Sequence, residues 1–231
     1  MDFGFGGQAN YVGELPRGRS IRRHLLRKRD LRPVDRYHKN GIVLDQGASA
    51  SASAYALWHW LVLHDRGFVG ISPESLAELA GWAGLASVPT PSVRELLKAL
   101  HGAGLSVAGF WTRSAVDVRQ ALRQGLGPVL LTARWSAGML APDRNGFVLP
   151  RGRIMGRHTV VIVGYDTTRA AFRLLNSFGK SWGQLGRAWV AAADLQALLR
   201  DGEACVPVVA DDEANVAERV QFAYQQLQPR W

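Results

Sequence analysis

Residues 51–64 run Ser-Ala-Ser-Ala-Tyr-Ala-Leu-Trp-His-Trp-Leu-Val-Leu-His, without a glycine or a proline. The segment is apolar nearly all round, and a helix of that kind is buried on most of its sides. The rest of the chain must therefore enclose it. Ser72-Pro73-Glu74 opens a second helix, with Ser72 as N-cap and Pro73 at the first helical position. Leu76, Leu79 and Ala80 supply its buried face. A loop rich in Gly, Pro and Ser covers residues 81–91. Ser92-Val93-Arg94-Glu95 starts a third helix with capping-box spacing, continued by Leu96, Leu97 and Leu100 and ended by Gly102 and Gly104. The character then changes. Short β-type runs fall at 106–111, 128–135, 159–165, 171–175 and 188–190, with helical stretches at 115–124 and 193–199. A helical first half and a strand-rich second half predict an α+β protein.

The chain has 231 residues, 47% of them hydrophobic and 20% charged. That is enough to bury a sizeable core in one domain or two small lobes, and it is not the composition of a disordered chain. No apolar run is long enough to span a membrane. The opening Met1-Asp2-Phe3-Gly4 has neither a basic n-region nor an apolar h-region. The expectation is a cytoplasmic protein, or one exported without a signal peptide, with no membrane partner. Cys205 is the single cysteine and cannot close an internal disulfide. It lies in the apolar run 204–209 and reads as a buried small hydrophobe.

Charge is unevenly spread. The net charge is +9, and residues 17–39 hold ten Lys/Arg and two Asp, a local +8. A flexible basic arm over residues 1–30 is expected to lead into a domain spanning 31–210. The arm reads first as a solvated segment; attraction to nucleic acid is the less favoured reading. Residues 211–231 begin acidic and continue with an amphipathic pattern through Val216, Val220, Phe222 and Leu227, which predicts a terminal helix. His24, His38, His59, His64 and His101 show no metal-ligand spacing with Cys or acidic partners. They read as surface or helix-face residues, and neither metal nor cofactor is expected.

Three further stretches carry chemistry. Asp45-Gln46-Gly47-Ala48-Ser49-Ala50-Ser51-Ala52 leads into the apolar helix. More than a hundred residues later comes Gly156-Arg157-His158-Thr159-Val160-Val161-Ile162-Val163-Gly164-Tyr165, then Leu175-Asn176-Ser177-Phe178-Gly179-Lys180-Ser181-Trp182-Gly183. In this order and spacing they resemble the papain family of cysteine proteases. That family carries Gln-Gly-x-x-x-x-Cys, His-Ala-Val…Val-Gly-Tyr and Asn-Ser-Trp-Gly-x-x-Trp-Gly. The resemblance implies a two-lobed papain-like α+β fold. Its helical lobe would cover about residues 45–105 and its β-lobe about 106–210, with the active-site cleft between them. Asp30-Leu31-Arg32-Pro33 resembles the entry to the mature domain of bacterial members. Ser49 occupies the position of a disulfide cysteine found in many secreted members, and that absence favours a reducing compartment. Ser53 replaces the usual Trp after the nucleophile, and Phe178 replaces the Trp that shields the Asn–His pair. The family's substrate-binding Gly-Gly has no clear match beyond Gly84. The nucleophile's own position holds Ala52.

The resemblance assigns roles that physical chemistry accounts for. A helix N-terminus and a neighbouring imidazolium both lower a thiol's pKa, and position 52 opens the apolar helix. His158 would face the helix tip as the base. Asn176 would accept from the imidazole and fix its tautomer and orientation. The Gln46 side-chain amide and the N–H of residue 52 would form an oxyanion hole. Phe178 and Trp182 are expected to contact substrate. Ser51 and Ser53 should not replace the missing sulfur, because one step along a helix turns a side chain by about 100°.

The chain thus reads as the scaffold of a cysteine endopeptidase with no nucleophile. In one reading Ala52 stands where an active thiol protease has its cysteine. In another the chain is a natural pseudoprotease that binds a peptide or partner. A third is acyl transfer on the same scaffold, since fold does not fix function. The roughly 44 residues before Asp45 are too few for a folded inhibitory pro-segment of the family's usual length. With no signal and no disulfide, that fits a bacterial effector toxin acting on a protein or peptide substrate and restrained by a cognate inhibitor or immunity protein, and it fits a housekeeping or phage-borne protease nearly as well.

Overall fold

The apolar run after Ser51 forms helix α1 (Ala52–Asp65), and the other elements close around it. The computed structural model describes residues 42–65, 70–82, 90–102 and 107–209. Helices α2 (Pro73–Trp82) and α3 (Val93–Gly102) follow α1. Then come β1 (Val107–Thr112), α4 (Ala115–Gln124), β2 (Val129–Ser136), a 3-10 turn (Ala137–Met139) and β3 (Ile154–Asp166). Strands β4 (Ala171–Leu175) and β5 (Arg187–Ala191), helix α5 (Ala192–Asp201) and β6 (Glu203–Val209) complete the described chain. The expected N-terminal arm, the expected C-terminal helix, Gly84, His24 and His38 lie outside the described residues.

The helix starts follow their caps. Ser72 Oγ accepts the Ser75 N–H at 3.1 Å. At α3 the capping box is reciprocal: Ser92 Oγ accepts the Glu95 N–H at 3.3 Å, and Glu95 Oε2 accepts the Ser92 N–H at 2.6 Å. Two side chains of α1 then tie it to the α2 region. The Tyr55 hydroxyl donates to Glu74 Oε1, and Trp58 Nε1–H donates to the Ile71 carbonyl at 2.6 Å.

The six strands form one antiparallel sheet in the order β1-β6-β2-β3-β4-β5. Its side chains alternate between two cores, as the period of two along a strand requires. Leu130, Val161, Val163, Leu175 and Cys205 join the core built with α1, α2 and α3. Their strand neighbours Val129, Leu131, Val160, Ile162, Leu174 and Ala204 join the core built with α4 and α5. Both faces are covered, so the central strands read as continuous apolar runs rather than polar–apolar alternation.

Two strands differ from the sequence reading. β3 begins at Ile154, because Arg134, Trp135 and Ser136 of β2 pair with Arg157, Gly156 and Ile154. Residues 154–157 are exposed and lack an apolar run, so only the pairing extends the strand. The apolar run 204–209, read from sequence only as Cys205's surroundings, forms part of β6. Pro207 is tolerated there because pairing to β2 ends at Cys205, leaving only β1 beside it. Among the described residues, no helix is long and apolar enough to cross a membrane.

Candidate active site

Position 52 and His158 lie on two elements pinned together beside them. Ala52 is the first residue of α1, and His158 lies midway along β3. Each is followed by a hydroxyl residue. Ser53 Oγ and Thr159 Oγ1 are 3.0 Å apart, and Thr159 Oγ1 is 3.0 Å from Thr132 Oγ1 on β2. This three-hydroxyl chain fastens the first turn of α1 to the sheet at the residue after His158. The Ser51 carbonyl accepts the N–H groups of Ala54 and Tyr55. The first-turn N–H of Ala52 lies ahead of any intrahelical acceptor.

The protonation pattern of His158 follows from its partner. His158 Nε2 lies 2.7 Å from Asn176 Oδ1, and the same oxygen accepts the Ser177 N–H at 2.8 Å. A flipped amide would set an N–H against the Ser177 N–H, so the oxygen is fixed. A carbonyl oxygen can only accept, so His158 Nε2 carries the proton. In the neutral ring Nδ1 then holds the lone pair and is the basic atom. Burial pushes the His158 pKa below the ordinary imidazole value, and the hydrogen bond to Asn176 partly opposes this. The ring is therefore a neutral base at neutral pH.

Aromatic rings enclose the imidazole. Phe178 lies nearly flat on it, with ring centroids 4.6 Å apart and 26° between planes. Trp135 meets it edge-on at 4.9 Å. Trp182 is buried and meets Phe178 edge-on at 6.2 Å. Phe178 and Trp182 also line an open groove of about 840 Å³, which residues 140–146 line as well. Gly183, in the same turn, has φ of 56°, and a Cβ there would stand 2.3 Å from the Arg187 carbonyl oxygen. No side chain fits at that position.

Gln46 is held from several directions. Its N–H donates to the Ser177 carbonyl at 2.8 Å. Its Nε2 donates to the Ser49 carbonyl at 2.8 Å, and its Oε1 accepts the Ser177 hydroxyl at 2.6 Å. One Nε2–H is used by Ser49, which leaves one for another acceptor. Ser177 thus couples Gln46 to the residue beside Asn176. The segment carrying Gln46 is also anchored to α1: the Leu44 N–H donates to His59 Nε2 at 3.2 Å. His59 reads from sequence as a surface or helix-face residue, but it is 2% exposed. Burial, helped by the charge of Arg187, pushes its pKa down to about 4.

The structure brings together His158, Asn176, Gln46 and Phe178, with Trp182 behind Phe178 and the start of α1 alongside. Sequence reasoning missed Trp135, Thr159, Thr132, Ser177 and His59. Trp135 and Thr132 reach the site through β2–β3 register, which no local pattern displays. Thr159 and Ser53 carried a signal, since each departs from the motif that its stretch resembles and the two departures touch. Among the described residues, no group of three or more His, Cys, Asp or Glu is placed to hold a metal ion.

No protein-family model matches the chain, and no curated protein sequence is a significant match. Solved structures are similar. Xylellain, a cysteine protease from Xylella fastidiosa, shares 18% identity at a TM-score of 0.57, over 74% of this chain and 83% of its own. Digestive procathepsin L 3 from the larval midgut of Tenebrio molitor shares 18% at 0.58, over 80% and 71%. Bromelain from Ananas comosus, solved in complex with the E64 inhibitor, shares 13% at 0.55, over 73% and 92%. At these identities the likeness establishes the fold: helices against an antiparallel sheet in the papain-like α+β arrangement.

Proposed function

We propose that this chain is a papain-like cysteine endopeptidase whose nucleophile position is occupied by Ala52. The observation that carries the reading is the His158–Asn176 pair. A buried imidazole whose Nε2 proton is fixed on Asn176 Oδ1 keeps Nδ1 as its base, and its strand is fastened to the helix start at position 52. That is the arrangement a thiol nucleophile needs.

With a thiol at position 52, its proton passes to His158 Nδ1 and the thiolate attacks the scissile carbonyl carbon. The negative charge then develops on the carbonyl oxygen, where the N–H of residue 52 and the remaining Gln46 Nε2–H would donate. As the C–N bond breaks, His158 returns the proton to the leaving amine. A water molecule, deprotonated by the same nitrogen, hydrolyses the thioester and restores the thiol. Substrate lies against Phe178 and Trp182. Ala52 supplies no sulfur, so the chain as written binds without cutting.

The test is to build Ala52→Cys and expose both forms to an epoxide inhibitor of papain-like enzymes, reading adducts by intact mass. The expected result is one adduct on the Ala52→Cys form, abolished by His158→Ala, and none on the Ala52 form. Cys205 is the internal control, because it is buried and burial raises its thiol pKa well above the usual value. A folded Ala52→Cys protein that takes no label would sink the protease reading and leave the pseudoprotease one. The effector and immunity-protein expectation has its own test: the active form, expressed in the cytoplasm of target cells, should arrest them.

A further inference from the structure

Ser177 spends each of its polar groups on the two halves of the candidate machinery. Its N–H donates to Asn176 Oδ1 at 2.8 Å, the oxygen that also holds the His158 Nε2 proton. Its carbonyl accepts the Gln46 N–H at 2.8 Å, and its hydroxyl donates to Gln46 Oε1 at 2.6 Å. The residue is 2% exposed, so water hardly competes for these bonds. The two segments are held close beyond this contact. Asp45 and Phe178 form an antiparallel bridge, and the Leu44 carbonyl accepts the Gly179 N–H at 3.0 Å. A Cβ at Gly179 would stand 2.7 Å from Asp45 Oδ2, so a side chain there would push the segments apart.

The Gln46 amide is anchored at both ends. The Ser49 carbonyl can only accept, so it fixes which end carries Nε2. Oε1 then meets the Ser177 hydroxyl. Two anchors on opposite ends set the plane of the amide, and that plane sets the direction of the remaining Nε2–H. With the hydroxyl removed, one anchor is left and the amide can swing about it. A hydroxyl donating to Oε1 also polarises the amide and strengthens its N–H groups as donors. From this geometry we propose that Ser177 is a positioning residue for the oxyanion hole, acting through the Gln46 side chain, while its backbone N–H sets the base through Asn176. The inference rests on the protease reading above and adds a residue to its machinery. The hydroxyl touches no reacting atom. It aims the one N–H that Gln46 has left, and that N–H counts where charge develops in the transition state more than in substrate binding.

The test compares two reactions of the Ala52→Cys form. Peptide cleavage puts charge on a carbonyl oxygen. Alkylation by iodoacetamide does not: the thiolate sulfur bonds the methylene carbon, iodide leaves, and the rate reports the thiolate alone. Ser177→Ala should lower kcat on a fluorogenic peptide amide about tenfold with KM nearly unchanged, less than the loss of a whole oxyanion donor. Its alkylation rate at position 52, followed by intact mass, should match the parent's, because the backbone N–H to Asn176 remains. In a Gln46→Ala background Ser177→Ala should cost nothing further. Cleavage and alkylation falling together, or an equal cost with and without Gln46, would overturn the inference and leave Ser177 a purely structural residue. The Ala52 chain gives a readout that needs no catalysis. NMR relaxation of the Gln46 side-chain amide should show a rigid group that Ser177→Ala loosens, and an amide equally rigid in both would also overturn the inference. An Ala52→Cys form that neither cleaves peptides nor is alkylated at position 52 would end the protease reading, and this inference with it.

Discussion

The proton on His158 Nε2 is held by an oxygen that also accepts from Ser177, so the base is set by two hydrogen bonds on one atom. In the Ala52 form burial keeps the imidazole pKa below the usual value, and no thiolate opposes it. A thiolate at position 52 would favour the imidazolium and raise that pKa. NMR titration of the His158 ring should therefore give a value below the ordinary 6.5 in the Ala52 form and a higher one in Ala52→Cys. Equal values would mean that position 52 does not face the ring. The neighbouring hydroxyls make a second prediction. Ser53 and Thr159 each follow a proposed catalytic position and touch at 3.0 Å. A double-mutant cycle with Ser53→Ala and Thr159→Val should show a coupling energy of about 1 kcal/mol in urea denaturation. Additive single effects would mean that the contact contributes nothing.

Among the elements, α1 and the segment before it act as a unit through His59. His59 Nε2 accepts the Leu44 N–H, so the folded state requires the neutral ring. The folded pKa is about 4, while the unfolded chain has the ordinary value near 6.5. Between those values the unfolded chain binds the proton and the folded one does not. Stability is therefore full above pH 6.5, falls as pH drops through the window, and levels off below about 4. The loss attributable to this ring is about 3 kcal/mol. Urea midpoints across that window should show the decline, and His59→Gln, which can accept but not titrate, should flatten much of it. A His59→Gln profile parallel to the parent's would refute the assignment. This residue also marks how far the sequence could be read. The caps at Ser72 and Ser92, the buried α1 and the order of the Gln46, His158 and Asn176 stretches depend on local spacing, and they were legible. The burial of His59, the reach of Trp135 and the hydroxyl chain depend on strand register and helix rotation, which act between segments far apart in sequence. β6 was hidden for a different reason: Pro207 argues locally against a strand, and only its place beyond the β2 ladder permits one.

On the scale of the whole molecule, the sheet belongs to both cores at once. Leu130 and Val161 face the α1–α3 core, while their neighbours Leu131 and Val160 face the α4–α5 core. Melting one core would strip one face of every central strand and leave apolar side chains in water. The cost of that exposure, about 25 cal/mol per Å² of apolar surface, falls on the same strands that hold the other core. The helical region and the strand-rich region should therefore unfold together despite their separation in sequence. Tryptophans stand on both sides of the sheet: Trp58, Trp60 and Trp111 lie in the first core, Trp135 and Trp182 in the second. Urea unfolding followed by fluorescence and by far-UV circular dichroism should give one coincident transition. Leu97→Ala in α3 and Leu131→Ala in β2, both fully buried in the parent, should each lower its midpoint by the equivalent of about 2–4 kcal/mol. Neither should change the slope, since both variants still expose the whole sheet on unfolding. A transition that splits, with Leu97→Ala moving one phase and Leu131→Ala the other, would show that the two cores fold separately and that the sheet does not couple them.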